Sequence, residues 1–250
     1  MNDVIINVQN LTMGYGNNIL LENASYEINR GDIFIIMGGS GCGKSSMLRI
    51  LTGLINPLAG NVFIDGVDIT SATEDEFQKI RMSSGILYQS GALFSSMTLA
   101  ENISLPLQQY SNYSEKEIEE LASFKLSLVG LYGYEDYYPA EISGGMKKRA
   151  GLARALALDP EIVYFDEPSA GLDPISSKNL DDLILEINHS LKTTIVVVTH
   201  ELNSIFTIGN NSIFLDAETK SITARGNPKE ILRNPPNENV YKFLTRGESK

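Results

Sequence analysis

Three runs of consecutive apolar residues have the length of a β-strand: Ile33 to Met37, Ile162 to Phe165 and Ile195 to Val198. A run without polar residues indicates a strand buried on both faces, which is typical of a parallel sheet covered by helices. Apolar residues at helical spacing lie between these runs, at Met47, Leu48, Ile50, Leu51 and Leu54, and at Leu180, Leu183, Ile184 and Ile187. The pattern therefore predicts an α/β fold.

Other segments depart from this alternation. The segment from Val62 to Val67 contains an Asp-Gly pair, which favours a hairpin turn and predicts a small antiparallel element beside the main sheet. Between about Leu99 and Leu156 no strong strand pattern occurs, and Ser114 to Ile118 is typical of a helix start, so we expect a helical insertion. A short helical pattern follows Gly226-Asn227-Pro228 and is broken by Asn234 to Asn237, and we predict a tail over 226–250.

The composition and charge of the chain argue against several classes of partner and structure. The 250 residues carry a formal net charge of -11, which argues against a nucleic-acid partner because phosphate backbones are held by clustered Lys and Arg. A single cysteine, Cys42, excludes an internal disulfide framework. The first residues lack the pattern of a signal peptide, and the apolar runs are shorter than the roughly 20 residues that span a bilayer. We therefore expect any membrane role to depend on a partner.

The run Gly38-Gly39-Ser40-Gly41-Cys42-Gly43-Lys44-Ser45 has the form of a phosphate-binding loop, with an apolar strand before it and an amphipathic helix after it. The glycines let backbone N–H groups approach phosphates, Lys44 can reach the β and γ oxygens, and Ser45 can place its hydroxyl on Mg²⁺. A glycine-rich turn that only caps a helix would not need Lys44 and Ser45. We expect Cys42 to be a small packed residue rather than a redox switch.

Two further motifs carry chemistry. Asp166 and Glu167 follow an apolar strand, where one carboxylate can hold a metal shell and its neighbour can orient or deprotonate a water molecule. Ser143-Gly144-Gly145-Met146 opens a helix, with Ser143 as its cap and glycine N–H groups available to an anion. The basic residues Lys147 to Arg149 oppose the helix dipole, and we expect a solvated face without a catalytic role.

Together these motifs resemble those of ATP-binding-cassette (ABC) ATPases over nearly the whole chain. In that family they are the Walker A motif, the Walker B motif and the signature that completes the ATP site of a second subunit. The resemblance implies a P-loop NTPase (RecA-like) core with a mostly parallel sheet, an antiparallel β subdomain and a helical subdomain that carries the signature. The single ABC ATPase domain would comprise the core and β subdomain at about 1–90 and 157–225, the helical subdomain at about 91–156 and the tail at 226–250.

The resemblance also implies roles for individual residues, with ATP as substrate and Mg²⁺ as cofactor. It places Lys44, Gln89, Glu167 and His200 at the reacting phosphate, and Ser45, Gln89 and Asp166 around the metal. Nucleotide contacts are implied for Tyr15, Gly38, Gly39, Ser40, Gly41, Cys42, Gly43, Lys44, Ser45 and Ser46, and across a dimer interface for Ser143, Gly144 and Gly145. Residues 169–173 would lie at that interface. Tyr15 would either stack on adenine or pack the β-layer, and His189, which matches no motif, is expected to be exposed.

Two details resemble the Mla-type ATPases, which energise phospholipid movement between the inner and outer membranes of Gram-negative bacteria: the stretch Tyr88 to Phe94, and Met146 in place of the usual glutamine. This resemblance implies a second copy of the chain, integral-membrane permease subunits, a lipid-binding protein of the mammalian-cell-entry (MCE) class and a small cytoplasmic regulatory subunit as partners. It also implies a location on the cytoplasmic face of the inner membrane.

The helical insertion is where the family contacts its permease, near Phe94 and a tyrosine cluster (Tyr132, Tyr134, Tyr137 and Tyr138), although these tyrosines also suit internal packing. Another cargo, such as a lipoprotein, an amino acid or another small solute, stays open. An ABC ATPase without a transport role is disfavoured, because the chain has neither a second cassette nor the sustained heptads of a long coiled coil.

Overall fold

A computed structural model of the chain describes residues 3–247. The strands are β1 (Val4–Tyr15), β2 (Asn18–Asn29), β3 (Ile33–Gly38), β4 (Ala59–Ile64), β5 (Val67–Asp68), β6 (Ser84–Leu87), β7 (Ile162–Asp166), β8 (Thr194–Val198), β9 (Asn211–Asp216) and β10 (Ser221–Arg225). The helices are α1 (Lys44–Leu51), α2 (Glu74–Met82), α3 (Leu99–Tyr110), α4 (Glu115–Leu128), α5 (Gly144–Ala155), α6 (Pro174–Leu191), α7 (Leu202–Ile208), α8 (Pro228–Arg233) and α9 (Glu238–Leu244).

The central sheet has six strands in the order β10-β9-β3-β8-β7-β6. Strands β9, β3, β8, β7 and β6 run parallel, and β10 pairs antiparallel at one edge. The three apolar runs form the neighbouring strands β3, β8 and β7, and every residue of β3 and β8 is buried. The prediction of an α/β fold with a mostly parallel sheet is confirmed.

The two faces of this sheet belong to different layers of the core. In β3, Ile33, Ile35 and Met37 pack into a cluster with the helices, while Phe34 and Ile36 pack into a second cluster with α1 and the antiparallel sheet. Successive side chains of a strand point to opposite faces. A continuous apolar run is therefore what a strand between two layers requires.

The antiparallel sheet has the order β2-β1-β4-β5. Its β4–β5 connection is the predicted hairpin, in which Asp65 and Gly66 have φ values of 48° and 78°. A tight hairpin turn of this kind requires positive φ at both central residues. The sheet is larger than the sequence pattern predicts, because β1 and β2 each have 12 residues.

The predicted helical insertion is present as α3, α4 and α5. Both α3 and α4 begin with a capping box: Thr98 pairs with Glu101, and Ser114 pairs with Glu117. In each box the hydroxyl and the carboxylate accept hydrogen bonds from otherwise unpaired backbone N–H groups. These caps fix where the two helices begin.

The predicted tail from Gly226 onward is helical and packed in the residues that the structure describes. It forms α8 and α9, and the second of these helices was not predicted. Ile231, Val240 and Leu244 are buried in the core cluster on the helix side of the central sheet. The Phe243 ring packs edge-on against the Phe214 ring of β9, with 5.2 Å between the ring centroids. The prediction overlooked the apolar spacing of α9 because Pro235 and Pro236 end the preceding helix. The last three residues of the predicted tail lie outside the described residues.

Within residues 3–247, the helices are all too short or too polar to cross a bilayer.

Candidate active site

Four parallel strands of the central sheet have their carboxyl ends on the same side of the sheet. Each of these strands leads into a motif residue. Strand β3 leads into the phosphate loop, β8 into His200, β7 into Asp166 and Glu167, and β6 into the loop that carries Gln89. In open α/β sheets, ligands bind outside the carboxyl ends of the strands. The topology thus brings together motifs that are more than a hundred residues apart in sequence.

The phosphate loop is built around Lys44, whose Nζ donates to the carbonyl oxygens of Gly38 (2.9 Å) and Gly39 (3.0 Å). Gly38 must be a glycine, because a Cβ there would lie 2.4 Å from the carbonyl oxygen of Leu215. Helix α1 is capped by Gly43 without a side-chain hydrogen bond. Its first N–H groups are therefore available to an anion, and the positive end of the helix dipole strengthens the attraction for that anion.

Cys42 is buried in the same loop, as expected for a packed residue. Burial raises the pKa of its thiol, so the thiolate that oxidants and alkylating reagents need is disfavoured.

Ser45 and Asp166 meet across the site, where the Ser45 Oγ donates to Oδ1 of Asp166 over 3.3 Å. Burial raises the pKa of Asp166, while the hydrogen bond from Ser45 acts in the opposite direction. A hydroxyl and a carboxylate are hard oxygen ligands of the kind that Mg²⁺ takes beside the phosphates of a nucleotide. Gln89 is exposed and lies two residues after Leu87, which pairs with Phe165 of β7, so the residue follows β6 on the side of the sheet where β7 ends.

Glu167 is held in an unusual conformation. Its φ is 49°, in the left-handed region that residues other than glycine rarely occupy. The Glu167 N–H donates to the carbonyl of Val198 at 2.8 Å, and Oε1 lies 2.8 Å from Nδ1 of His200. Oε2 is buried and has no hydrogen-bond partner within the described part of the chain. Such outliers cluster at active sites.

Tyr15 lies at the end of β1 with 52% of its surface exposed, and its hydroxyl is 3.0 Å from Oγ of Ser46, just inside α1. This exposure does not fit the alternative in which the ring packs the β-layer. A flat ring beside the phosphate loop is suited to stacking on a nucleotide base.

Ser143 caps α5, and its Oγ accepts a hydrogen bond from the N–H of Met146 at 3.2 Å. Ser143 and Gly144 are exposed. Among residues 3–247, no hydrogen bond joins this helix start to the phosphate loop. The N-terminus of α5 is therefore accessible at the surface.

The expectation of a solvated basic face is wrong for Lys148 and Arg149. Lys148 is only 6% exposed, and its Nζ donates to the carbonyl oxygen of Glu167 over 3.3 Å. Arg149 donates to the carbonyl oxygens of Val129 and Gly130 at 3.1 and 3.2 Å. These carbonyl oxygens and the nearby carboxylates offset the unfavourable interaction of the two cations with the helix dipole. Because the contacts come from distant segments, the linear sequence does not show them.

A second buried polar group was also missed. Asp181 of α6 is 3% exposed and accepts a hydrogen bond from Ser204 of α7 at 2.9 Å, and the Ser204 hydroxyl lies 3.4 Å from that of Ser169. This chain of hydrogen bonds fixes the segment 169–173 that follows Glu167. Asp173 ends that segment as the N-cap of α6. His189 is exposed, as predicted.

Comparison with known proteins agrees with this geometry. Residues 21–170 match the family model described as ABC transporter. The chain belongs to the ABC transporter family. It is an ATP-binding cassette ATPase.

Among solved structures, the cassette resembles a dimeric ATP-binding cassette in a post-hydrolysis state bound to ADP and phosphate. The TM-score is 0.79 and the identity 31%, over 89% of this chain and 98% of the other.

Two curated relatives differ in their names. The cassette is 42% identical over 96% of its length to a probable ribonucleotide transport ATP-binding protein of Mycobacterium leprae, of which it spans 69%. It is 37% identical over its full length to the intermembrane phospholipid transport ATP-binding protein MlaF of Haemophilus influenzae, of which it spans 93%.

Proposed function

We propose that the cassette hydrolyses ATP in a head-to-tail dimer and thereby drives a membrane permease that moves phospholipid between two membranes. The observation that carries the catalytic part is the arrangement of Glu167. His200 holds one carboxylate oxygen at 2.8 Å, and the other oxygen is buried without a partner among residues 3–247. A carboxylate fixed in this way is suited to orient and deprotonate an attacking water molecule.

Other residues of the site bind the phosphates, the metal ion and the base. Lys44 exchanges its two carbonyl partners for phosphate oxygens, and the loop N–H groups bind the rest of the phosphate chain. Ser45, Asp166 and Gln89 would hold Mg²⁺, which supplies charge neutralisation at the phosphates. Tyr15 stacks on the base. His200 keeps Glu167 in its rotamer and stands beside the γ-phosphate.

The dimer follows from the position of Ser143, Gly144 and Gly145. Ser143 and Gly144 are exposed, and within residues 3–247 no hydrogen bond joins them to the phosphate loop, so this helix start can bind the γ-phosphate held by a second copy. A dimeric neighbour of known structure supports this arrangement. We therefore propose two ATP molecules, each sandwiched between one chain's phosphate loop and the other chain's signature.

A surface groove offers the permease a place to dock. It has a volume of about 510 Å³ and is lined by the loop after β6, by α3 and by the end of α5. Phe94 is 48% exposed at this groove, with the Arg154 guanidinium 5.8 Å from its ring centre. The tyrosine cluster is exposed as well, with Tyr132 at 78%. Exposed aromatic rings beside an arginine are typical of protein interfaces.

The cargo proposal rests on the MlaF relative, which the cassette matches along nearly all of both chains. We propose the cytoplasmic face of the inner membrane as its location, with an MCE-class lipid-binding protein and a small regulatory subunit as further partners. A ribonucleotide is the second candidate cargo, because the relative named for it is 42% identical.

The catalytic proposal is tested with Glu167→Gln. We expect this variant to bind ATP, to lose steady-state hydrolysis and to accumulate an ATP-dependent dimer in size-exclusion chromatography. Glu230→Gln, which changes an exposed acid on α8, is the control and should match the wild type. Near-normal turnover by Glu167→Gln would refute the assigned role.

The head-to-tail arrangement is tested by mixing two inactive variants. Lys44→Ala removes the phosphate loop function, and Ser143→Arg blocks the signature. A mixed dimer contains one site in which both halves are intact, so mixing should restore hydrolysis that neither variant shows alone. A mixture that stays inactive while forming dimers would exclude composite sites.

The cargo is tested by purifying the detergent-solubilised complex through the cassette and identifying bound molecules by mass spectrometry. Enrichment of phospholipid over a complex carrying Lys44→Ala supports the proposal. Enrichment of nucleotides other than ATP and ADP would instead favour the second cargo.

A further inference from the structure

Lys148 is a buried cation that no motif explains. It lies on the first turns of α5, directly after the signature, and is 6% exposed. Its Nζ donates to the carbonyl oxygen of Glu167 at 3.3 Å. Burial lowers the pKa of Lys148, and the negative charges of Glu167 and Asp166 act in the opposite direction. A buried charge is costly unless it is paired, and the negative charges of Glu167 and Asp166 offset part of this cost.

The acceptor of this hydrogen bond belongs to a strained residue. Glu167 has a φ of 49°, a conformation that persists only when its surroundings enforce it. Its N–H donates to the carbonyl oxygen of Val198, and its own carbonyl oxygen accepts hydrogen bonds from the N–H of Ala170 at 3.1 Å and from Nζ of Lys148 at 3.3 Å. The bond from Lys148 comes from a different part of the chain. Without it, the Glu167 carbonyl would keep its local bond from Ala170 but would lose its hydrogen bond to α5.

Helix α5 contacts a second part of the same site. Arg154, near its end, donates to the carbonyl oxygens of Ala92 (2.8 Å) and Gly91 (3.3 Å), in the loop that carries Gln89. The N-terminus of the helix presents Ser143, Gly144 and Gly145 to the partner's nucleotide. One helix thus contacts Glu167 and the Gln89 loop of its own chain, and in the dimer proposed above it would also contact the ATP of the second copy.

We propose that Lys148 is a positioning residue for Glu167, and that through it α5 transmits the state of one ATP site to the catalytic base of the other. When α5 closes on the partner's γ-phosphate, Lys148 fixes the Glu167 backbone in its left-handed conformation. When the phosphate leaves, α5 shifts and this support is withdrawn. The proposal rests on the role of Glu167 proposed above.

The first test compares Lys148→Met with Lys147→Met in the full-length cassette. Lys147 is the matched control, since it carries the same charge one residue earlier on α5 and is partly exposed. We expect kcat of Lys148→Met to fall at least about tenfold with KM for ATP within about twofold, because only the transition-state geometry is impaired. The Hill coefficient for ATP should fall toward 1. Lys147→Met should keep the wild-type values.

The second test separates positioning from packing. Lys148→Ala leaves a space that n-propylammonium fills with the missing methylenes and the missing hydrogen-bond donor, whereas methoxyethane has a similar size and no hydrogen-bond donor. We expect n-propylammonium to restore turnover several-fold more than methoxyethane does, with no effect on Lys147→Ala. Equal restoration by both compounds would show that Lys148 acts only by filling space and would overturn the proposal.

The outcomes distinguish this inference from the proposed function. If Glu167→Gln is inactive while Lys148→Met keeps its wild-type kcat and Hill coefficient, the role of Lys148 is refuted and that of Glu167 stands. If Glu167→Gln is active, both are refuted. Loss of ATP binding by Lys148→Met, measured with a fluorescent nucleotide, would assign Lys148 to binding and also contradict the proposal.

Discussion

Asp181 should make the stability of the cassette depend on pH in a way that one substitution removes. Burial raises the pKa of its carboxyl from 3.8 to about 6, against the opposing hydrogen bond from Ser204. The folded state therefore binds a proton more tightly than the unfolded state. The stabilisation from this proton is complete below pH 3.8 and is lost as the pH rises through about 6.

The size of the effect follows from that shift. A shift of about two pKa units corresponds to about 3 kcal/mol at pH 7, where the folded state keeps an ionised carboxylate in a buried site. Between pH 7 and pH 5, about 1.3 kcal/mol of this cost is removed as the carboxyl takes up its proton. Asp181→Asn cannot ionise but keeps an oxygen that can accept the hydrogen bond from Ser204.

This pH dependence of the unfolding free energy is measured by urea denaturation at pH 5, 6 and 7 and fixed ionic strength, with circular dichroism as the signal. The unfolding free energy of the wild type relative to Asp181→Asn should rise by about 1.3 kcal/mol from pH 7 to pH 5. Asp182→Asn is the control, because Asp182 is exposed and paired with Lys178 at 2.6 Å, and such surface pairs contribute less than about 1 kcal/mol. A difference that stays constant from pH 5 to pH 7 would refute the reasoning.

Four further outcomes are expected. Leu244→Ala should lower the unfolding free energy by about 2–5 kcal/mol in urea denaturation, since the side chain is 3% exposed in the core; a change below about 0.5 kcal/mol would contradict the packing of α9. Gly85→Ala should lower the melting temperature, because the new Cβ would lie 2.2 Å from the carbonyl oxygen of Ala155; an unchanged melting temperature would contradict that close approach. Cys42 should react with a maleimide only after unfolding in urea, as its thiol is buried; rapid labelling of the native cassette at pH 7 would refute this. Tyr15→Ala should raise KM for ATP several-fold in a coupled assay while Tyr15→Phe does not, and equal KM values would exclude base stacking.

Much of the fold and of the candidate site could be predicted from the sequence, because the relevant signals are local. The strand β3, the phosphate loop and α1 follow one another without a gap, so periodicity and motif support the same prediction. Asp166, Glu167 and His200 each come at the end of a buried strand. Parallel strands end at a common edge, and the contact between Glu167 and His200 follows from that topology.

What could not be predicted depends on contacts between distant segments. Lys148 looks like a surface lysine until α5 packs against β6 and brings it to the carbonyl of Glu167. Asp181 looks like one of two solvated acids until Ser204 approaches from α7. Leu244 was overlooked because Pro235 and Pro236 end the preceding helix and the seven residues of α9 are too few for periodicity to be significant. For Lys148 and Asp181 the environment is created by a residue at least 19 positions away in the sequence.

The pairing of β6 with β7 has a consequence for how such a cassette can be changed. The two strands lie side by side, with Ser84 opposite Ile162 and Leu87 opposite Phe165, yet the intervening chain contains α3, α4, α5 and the groove at Phe94. One contiguous stretch therefore carries the surface proposed to face the membrane partner. We expect that this stretch could be exchanged as a unit to fit a different permease, provided that Gln89 and the signature Ser143 to Gly145 are kept and that Lys148 and Arg154 keep their contacts.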